Sequence, residues 1–401
     1  MKLLYLVRDP FPTFRPDLVD LFGAMLPLRG VGCTLVAPPA QGAGPDAGWG
    51  GGPVLLDRPR ASRLGRMLGG FLHDLACLVR HSRGHDAIQV RNKPVAALAA
   101  LAVARWRGVP CFYWMSFLYP EDDLARADQP GMALLRAAFL RLRGRITGWL
   151  LYRVVLRRCD HAFVQSPRMR DDMAARGIPR ERMTPVPMGV NLDRIDQALA
   201  GSPVAPAQEP TLVYLGSLDR SRQLDLLLDA LARVRAAGVP ARLLLVGDAP
   251  DPGERERFLA LARDRGLDQA VEITGWLPQA EAWRRAARCQ VGVSSLPLGP
   301  ITAPASLTKA VELMALGLPM VVSEHPDQGE LVTASGAGRS APFSPEAFAA
   351  AILDILADPA AAREMGRRGR EAVQAERSYA AIADRVAEAY RRLLTPTENR
   401  A

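Results

Sequence analysis

Lys309 is the first residue whose position suggests chemistry, because it stands near the start of a predicted helix in TAPASLTKAVELMALGLPMVVS, residues 302–323. Only three of the chain's 51 basic residues are lysines. The helix dipole disfavours a cation in the first turn by roughly a few tenths of a kcal/mol. An anion held by the free backbone N–H groups from Ser306 to Thr308 would remove that conflict, and Glu312 lies one turn further on the same side.

Two other predicted strand ends carry residues that suit the same anion. Arginine binds phosphate oxygens in a bidentate way, and glycine lets the backbone approach a ligand closely. The residues in these two loops are Gly216, Ser217, Arg220, Arg222, Gly247 and Asp248. Each feature also has a plain structural explanation: Lys309 and Glu312 as a surface ion pair, the arginines facing solvent, and the glycines as turns. Together, and in this order, they favour a phosphate-bearing ligand.

Several other chemistries are excluded because the sequence lacks the motifs that they need. The first predicted strand is followed by RDPFPTFRP, which has no glycine and therefore lacks the phosphate turn of a dinucleotide enzyme. Walker, HExxH and GxSxG motifs are absent from the sequence. The five cysteines are scattered without a CxxC pair, the histidines form no ligand set, and the acidic clusters at 121–123 and 171–172 are typical of solvated loops or helix starts. We therefore expect no metal site.

The elements that must position these residues alternate between short apolar runs and helical segments. This alternation predicts βα units, hence an α/β protein with parallel sheets. It stops at GSPVAPAQEP and then restarts. We therefore predict two doubly wound, Rossmann-like domains: residues 1–200, a linker at 201–210, a second domain at 211–377, and a helical segment at 378–401 that returns to the first. Ligands of such sheets bind outside the carboxyl ends of the strands, so we expect the site in a cleft faced by the domains.

Composition narrows the class of protein and its partners. Hydrophobic residues make up 49% of the 401 residues, and the net charge is +9. The apolar start is too short for a secretion signal, and no run approaches the ~18 residues of a membrane span. The scattered cysteines suit a reducing cytoplasm. The positive charge indicates contact with nucleic acid, a membrane surface or a phosphorylated ligand; because no RNA-binding or helix-turn-helix signature is present, we expect no nucleic acid.

One segment could place the protein on a membrane. Residues 131–159 contain seven arginines and no acidic residue, interleaved with apolar and aromatic residues, which is the composition of an interfacial helix on anionic lipid. The predicted lipid-facing arginines are Arg136, Arg141, Arg143 and Arg145. This predicts a peripheral protein at the inner face of the cell membrane. The alternative is that residues 149–158 form an ordinary domain helix with one buried face.

The chain resembles a known family over residues 1 to about 375, most strongly in its second domain. Its motifs, in order, are YLGSLDRSRQLDLLLDAL, LLLVGD, VEITGWLP, VGVSS, SLTKAVELMALGLPMVVS and GELVTASGAG. These resemble the family 4 glycosyltransferases of the GT-B fold. The resemblance implies transfer of a hexose-type sugar from a nucleotide-sugar, UDP-linked or GDP-linked, to a hydroxyl of a glycan or lipid-linked acceptor, with retention of anomeric configuration. It implies no metal and no cofactor, and a role in bacterial cell-surface polysaccharide or glycolipid synthesis.

The resemblance also assigns roles to residues. Glu312 matches the second of the family's paired glutamates and would bind the donor ribose. Lys309, with the amides of Leu307 and Thr308, would hold the diphosphate, and Arg222 would neutralise the departing phosphate. The loop Gly275, Trp276, Leu277 would read the nucleobase through its backbone. The residues expected on the acceptor side, in the loops of the first domain, are Arg8, Pro12, Arg15 and Ser116.

The sequence also departs from the family pattern. Pro304 stands where the first paired glutamate is expected, Ser217 where an arginine often follows the glycine, and Ser116 where many members have a histidine. PFPTF replaces the glycine pair after the first strand. These departures leave a second hypothesis, a catalytically inactive nucleotide-sugar-binding protein of the same fold.

Overall fold

The computed structural model describes residues 1–40, 49–129, 131–200 and 207–395. The chain forms two compact units, one of Met1–Pro187 with Tyr379–Ala401 and one of Met188–Ser378. The N-terminal segment of the first unit therefore ends at Pro187 and not at residue 200 as predicted. The helix that precedes residue 200 belongs to the second unit, where the Ala198 carbonyl accepts a hydrogen bond from Arg284 Nε at 2.7 Å. Residues 201–206 of the predicted linker lie outside the described residues.

The first unit contains a seven-stranded parallel sheet in the order β3-β2-β1-β4-β5-β6-β7. Its strands are β1 (Lys2–Leu6), β2 (Gly32–Ala37), β3 (Val54–Leu56), β4 (Ala87–Arg91), β5 (Cys111–Met115), β6 (His161–Val164) and β7 (Met183–Pro185). Its helices include α1 (Arg63–His81), α2 (Pro94–Arg107), α3 (Tyr119–Ala127), α4 (Leu134–Trp149), α5 (Leu156–Arg158) and α6 (Pro167–Ala175). The strand order reverses between β1 and β4, which makes their carboxyl ends the expected ligand position of this sheet.

The second unit repeats this plan with six parallel strands in the order β10-β9-β8-β11-β12-β13. The strands are β8 (Thr211–Leu215), β9 (Arg242–Val246), β10 (Val271–Ile273), β11 (Val291–Ser294), β12 (Met320–Ser323) and β13 (Gly338–Ala341). The helices are α7 (Leu192–Ala200), α8 (Asp225–Ala236), α9 (Pro252–Asp264), α10 (Gln279–Ala286), α11 (Thr308–Ala315), α12 (Gln328–Ser335), α13 (Pro345–Ala357) and α14 (Pro359–Ala372). Here the order reverses between β8 and β11.

Both sheets are doubly wound because their strands are apolar on both faces. In β8, Leu212 and Tyr214 pack into one buried cluster with residues of α8 and α13. Val213 and Leu215 point to the opposite face and pack with residues of α10 and α11. Alternate side chains of a strand point to opposite faces, so a run that is apolar throughout requires helices on both sides. The predicted α/β class with two Rossmann-like parallel-sheet domains is confirmed.

The last described helix, α15 (Tyr379–Leu394), lies in the first unit. Its buried face carries Tyr390, whose ring packs against Phe163 and whose hydroxyl donates to Gln89 Oε1 at 2.6 Å. Asp384 on the exposed side accepts a hydrogen bond from Arg29 Nε at 2.6 Å. Among the described helices, none combines the length and apolar composition needed to cross a membrane.

Candidate functional site

The glycine loops that follow β8 and β9 lie side by side. Gly216 N–H donates to Val246 O at 3.0 Å, and Leu218 N–H donates to Asp248 O at 3.0 Å. Gly247 has a φ of +146°, and a Cβ there would lie 1.9 Å from Gly216 O. Only glycine fits a backbone that is left-handed and in such close contact. The fold therefore brings the predicted loops of Gly216 and Gly247 together at the carboxyl edge of the second sheet.

The loop after β10 joins them. Gly247 N–H donates to Thr274 Oγ1 at 3.2 Å, and Gly275 has a φ of +76°. Asp248 is paired with Arg255 of α9 at 2.8 Å, so its carboxylate is already neutralised. Trp276 is exposed, and its indole ring lies in the loop to which the family resemblance assigns nucleobase recognition. Leu277 packs against the apolar cluster that contains α10 and α11.

Glu312 is buried in the second turn of α11, with only 3% of its side chain exposed. Its Oε2 accepts a hydrogen bond from Lys309 Nζ at 3.1 Å. Its Oε1 accepts hydrogen bonds from Trp283 Nε1 and Gln279 Nε2, each at 3.3 Å. Lys309 itself is 51% exposed. The predicted pair therefore exists, but it joins a buried, oriented carboxylate to a cation that still faces solvent.

Sequence reasoning missed the two residues of α10 that orient this carboxylate. Gln279 and Trp283 stand four residues apart and so share one face of α10. That spacing was visible in the sequence, but nothing local connected it to a glutamate about thirty positions later.

One part of the predicted anion site is wrong. Leu307 N–H is not free, because it donates to Asp327 Oδ2 at 3.0 Å. Ser306 is buried, and its hydroxyl donates to the same oxygen at 2.8 Å while accepting a hydrogen bond from Met188 N–H at 2.9 Å. Within the part of the chain that the structure describes, Thr308 N–H has no acceptor. This amide and the Lys309 ammonium are therefore available as donors at the start of α11.

Arg222 ends a 3₁₀ turn, Arg220–Arg222, just after the Gly216 loop. The Asp219 carboxylate caps this turn by accepting Ser221 N–H at 2.8 Å. Hydrogen bonds from Ser221 lower the pKa of Asp219, and the Arg222 charge adds to that effect. Across the described ranges, no carboxylate forms a salt bridge with Arg222. A guanidinium that forms no salt bridge can receive the oxygens of an anionic ligand.

The residues predicted for the acceptor side follow strands of the first sheet. The Arg8 guanidinium stacks over the Tyr119 ring at 3.7 Å, and Arg15 Nε donates to Asp9 Oδ1 at 3.0 Å. Pro12 follows Phe11 in a cis peptide. The hydroxyl of Ser116 is less available than predicted. Ser116 is buried, and its Oγ accepts a hydrogen bond from Asn92 Nδ2 at 2.7 Å.

A buried cation in the first unit was also missed. Arg91 ends β4 and is fully buried, with its guanidinium paired to Asp9 and Asp17. The two carboxylates keep the pKa of Arg91 raised despite its burial. The sequence signal was a charged residue at the end of the apolar run AIQVR. Asp9 therefore bridges Arg91 and Arg15 near the reversal between β1 and β4.

Two of the four arginines predicted to face lipid are engaged by carboxylates. Arg143 is half-buried and paired with Asp123 of α3, and Arg141 donates to Asp128 at 2.8 Å. Arg136 and Arg145 are exposed. The outward side of α4 also carries a stripe of apolar residues, each more than half exposed: Leu135, Phe139, Leu142, Ile146 and Trp149.

The acidic cluster 121–123 serves the packing of α3. Asp123 binds Arg143, and Glu121 pairs with Arg176 at 2.9 Å. In residues 1–40, 49–129, 131–200 and 207–395, no three His, Cys, Asp or Glu side chains are grouped in a way that could hold a metal ion.

Comparison with known proteins bears on the family and the fold of the chain. A family model described as "Glycosyl transferases group 1" matches residues 209–358, and one described as "Glycosyl transferase 4-like domain" matches residues 20–189. A GDP-mannose-dependent alpha-(1-6)-phosphatidylinositol dimannoside mannosyltransferase of Mycobacterium tuberculosis is 30% identical over 46% of each chain. A D-inositol 3-phosphate glycosyltransferase of Segniliparus rotundus is 31% identical over 53% of this chain and 48% of its own. The chain thus spans about half the length of these curated relatives.

Solved structures share the fold over nearly the whole chain. A sucrose-phosphate synthase from Thermosynechococcus elongatus has a TM-score of 0.71 at 21% identity, covering 99% of this chain and 100% of its own. HepE from Anabaena has a TM-score of 0.69 at 18% identity, covering 98% and 100%. The two family models, one on each unit, and the two Rossmann-like sheets lead to one conclusion: the chain belongs to the family 4 glycosyltransferases and has the GT-B fold.

Proposed function

We propose that this chain is a retaining glycosyltransferase that moves a hexose-type sugar from a nucleotide-sugar to a hydroxyl of a glycan or lipid-linked acceptor in cell-surface polysaccharide or glycolipid synthesis. The observation that carries the proposal is the buried Glu312 carboxylate, held by Trp283 and Gln279 beside the half-exposed Lys309. A carboxylate has about four lone-pair sites, and Glu312 uses three of them on Trp283, Gln279 and Lys309, so it keeps acceptor capacity for a ribose hydroxyl.

The residues at the start of α11 suit a diphosphate. Thr308 N–H lies at the positive end of a helix dipole, and Lys309 stands beside it. Arg222, at the neighbouring strand end, forms no salt bridge within the described residues and suits the phosphate that leaves.

In the reaction, the bond from the anomeric carbon to the phosphate oxygen breaks and its electron pair stays on the nucleoside diphosphate. The acceptor oxygen bonds to the anomeric carbon on the same face, and its proton passes to the departing phosphate oxygen. Preorganised N–H groups and cations lower the barrier because negative charge grows on the leaving group.

The relatives support a nucleotide-sugar donor. HepE from Anabaena was solved with UDP and glucose and with UDP-glucose, and the mycobacterial relative is described as GDP-mannose-dependent. We propose a UDP-sugar as the favoured donor and a GDP-sugar as the second candidate, with no metal and no cofactor.

We also propose that the protein works in the cytoplasm and binds the inner face of the cell membrane through α4. The stripe of Leu135, Phe139, Leu142, Ile146 and Trp149 is apolar and exposed, and Arg136 and Arg145 are exposed on the same helix. Apolar side chains with arginines beside them suit a surface of anionic lipid. Such a surface would present a lipid-linked acceptor to the first unit.

Two measurements test the donor and the activity. In a thermal-shift assay with a panel of nucleoside diphosphates, we expect the melting temperature of the protein to rise, and to rise most with one of the nucleobases. A ligand at 100 times its Kd stabilises the folded protein by about 2.7 kcal/mol. No response to any nucleoside diphosphate would contradict the proposal. A radiolabelled-donor assay then separates the enzyme from the inactive alternative, since tight nucleotide binding without transfer or hydrolysis over an acceptor panel would favour a binding protein.

A further inference from the structure

Asp327 stands where it should cap its own helix, yet it does not. It directly precedes α12 as the N-cap residue, and its side chain makes no capping hydrogen bond there. An aspartate in that position usually accepts a hydrogen bond from a backbone N–H of the first turn. Its Oδ2 accepts instead from Ser306 Oγ at 2.8 Å and from Leu307 N–H at 3.0 Å. Leu307 is the N-cap residue of α11, so Asp327 stabilises the start of the neighbouring helix.

The other carboxylate oxygen is neutralised by Arg377. Asp327 Oδ1 accepts from Arg377 Nη2 at 2.7 Å, and both side chains are nine-tenths or more buried. Arg377 Nη1 also donates to Ser306 Oγ at 3.3 Å. A buried carboxylate is costly unless it is paired and fully hydrogen-bonded, and this one is both. We therefore expect the cluster of Asp327, Arg377 and Ser306 to be more rigid than an exposed ion pair.

The cluster of Asp327, Arg377 and Ser306 is also hydrogen-bonded to the chain segments at which the second unit begins and ends. The unit runs from Met188 to Ser378. Met188 N–H donates to Ser306 Oγ at 2.9 Å, and Val190 N–H donates to Arg377 O at 2.9 Å. Val190 and Ser378 form a parallel bridge. The two crossing segments are thus hydrogen-bonded to each other and to the residues that begin α11.

We propose that Asp327 is a positioning residue that fixes the first turn of α11 for a diphosphate and ties that turn to both chain crossings. This inference rests on the proposed function, because it concerns the same donor site. Thr308 N–H comes one residue after the anchored Leu307 amide, and Lys309 comes two residues after it. An anchor at Leu307 keeps both donors aimed at one place, so less ordering is required when the phosphates bind.

The test compares diphosphates with nucleosides that lack phosphate. In the Asp327→Asn variant of the full chain, we expect the affinity for uridine diphosphate and guanosine diphosphate, measured by calorimetry, to fall about tenfold or more for the preferred base. The affinity for the matching nucleoside should change by less than about twofold, because Glu312 and the Gly275 loop do not contact Asp327. Ser306→Ala removes one hydroxyl only and should weaken diphosphate binding in the same selective way, so the proposal stays testable if Asp327→Asn folds poorly.

Asp74→Asn is the matched control. Asp74 is a buried carboxylate of the first unit, paired with Lys93 at 2.5 Å. Its replacement makes the same chemical change and should leave the ratio of diphosphate to nucleoside affinity unchanged.

Unchanged diphosphate affinity in both Asp327→Asn and Ser306→Ala would overturn the assignment, as would an equal loss for nucleoside and diphosphate. Wild-type protein that binds neither diphosphate would overturn the proposed function and this assignment together. Wild-type binding with unaffected variants would overturn this assignment alone.

Discussion

Replacing Glu312 with glutamine tests the donor site most directly. The substitution keeps the shape of the side chain and removes its charge. Glu312 is buried, whereas its partner Lys309 is half exposed and can be rehydrated, so most of the pair's contribution to stability is that of an exposed ion pair. Such pairs contribute about 0 to 1 kcal/mol. We therefore expect the free energy of unfolding of Glu312→Gln to stay within about 1 kcal/mol of wild type.

Nucleotide affinity should change much more. A hydrogen bond to a charged group contributes about 1.5 to 3 kcal/mol, which corresponds to a loss of about 10- to 100-fold in Kd. Calorimetry with the preferred nucleoside diphosphate and with its 2′,3′-dideoxy analogue measures this loss. The two changes should not be additive: the dideoxy analogue, having no ribose hydroxyls to offer, should bind wild type and Glu312→Gln with nearly equal affinity.

Glu346→Gln serves as the control, because Glu346 is an exposed carboxylate of the same unit that pairs with Arg233. It should leave both affinities unchanged. If Glu312→Gln weakens the diphosphate and its dideoxy analogue by the same factor, Glu312 does not bind the ribose and the reasoning fails.

Three further outcomes follow from the structure. Arg222→Gln should lower the rate of sugar transfer by roughly 10²- to 10³-fold with little change in acceptor KM, because it removes the cation that neutralises the departing phosphate. An unchanged rate in a radiolabelled-donor assay would show that Arg222 takes no part in the mechanism. The double variant Arg136→Gln, Arg145→Gln should bind anionic vesicles about 30-fold more weakly in a co-sedimentation assay, since each arginine near such a surface contributes about 1 kcal/mol. Equal recovery of wild type on neutral and anionic vesicles at low salt would refute the membrane proposal. Burial lowers the pKa of His161 to about 4, so the unfolded chain binds more protons than the folded chain below the ordinary pKa of histidine. Stability should therefore fall as the pH drops from about 6.5 to 4, and urea unfolding of His161→Gln should show a flatter pH profile; a profile identical to that of wild type would contradict this prediction.

The sequence by itself predicted the sheets and the strand-end loops. Apolar runs separated by helical periodicity are local patterns, and they determined the α/β class. Glycines directly after strands, such as Gly216 and Gly247, followed from the need for close backbone approach at the carboxyl edge of a sheet. The motif around Lys309 and Glu312 was local as well, because residues three apart on a helix share one side.

Only the tertiary structure decided which of these groups are available. The Leu307 amide is occupied by a carboxylate twenty residues later, and Glu312 is oriented by Trp283 from a different helix. Arg377 reaches Asp327 across fifty residues. Periodicity encodes which face of an element is buried, whereas a hydrogen bond between distant side chains depends on how the elements pack, and no local spacing carries that information.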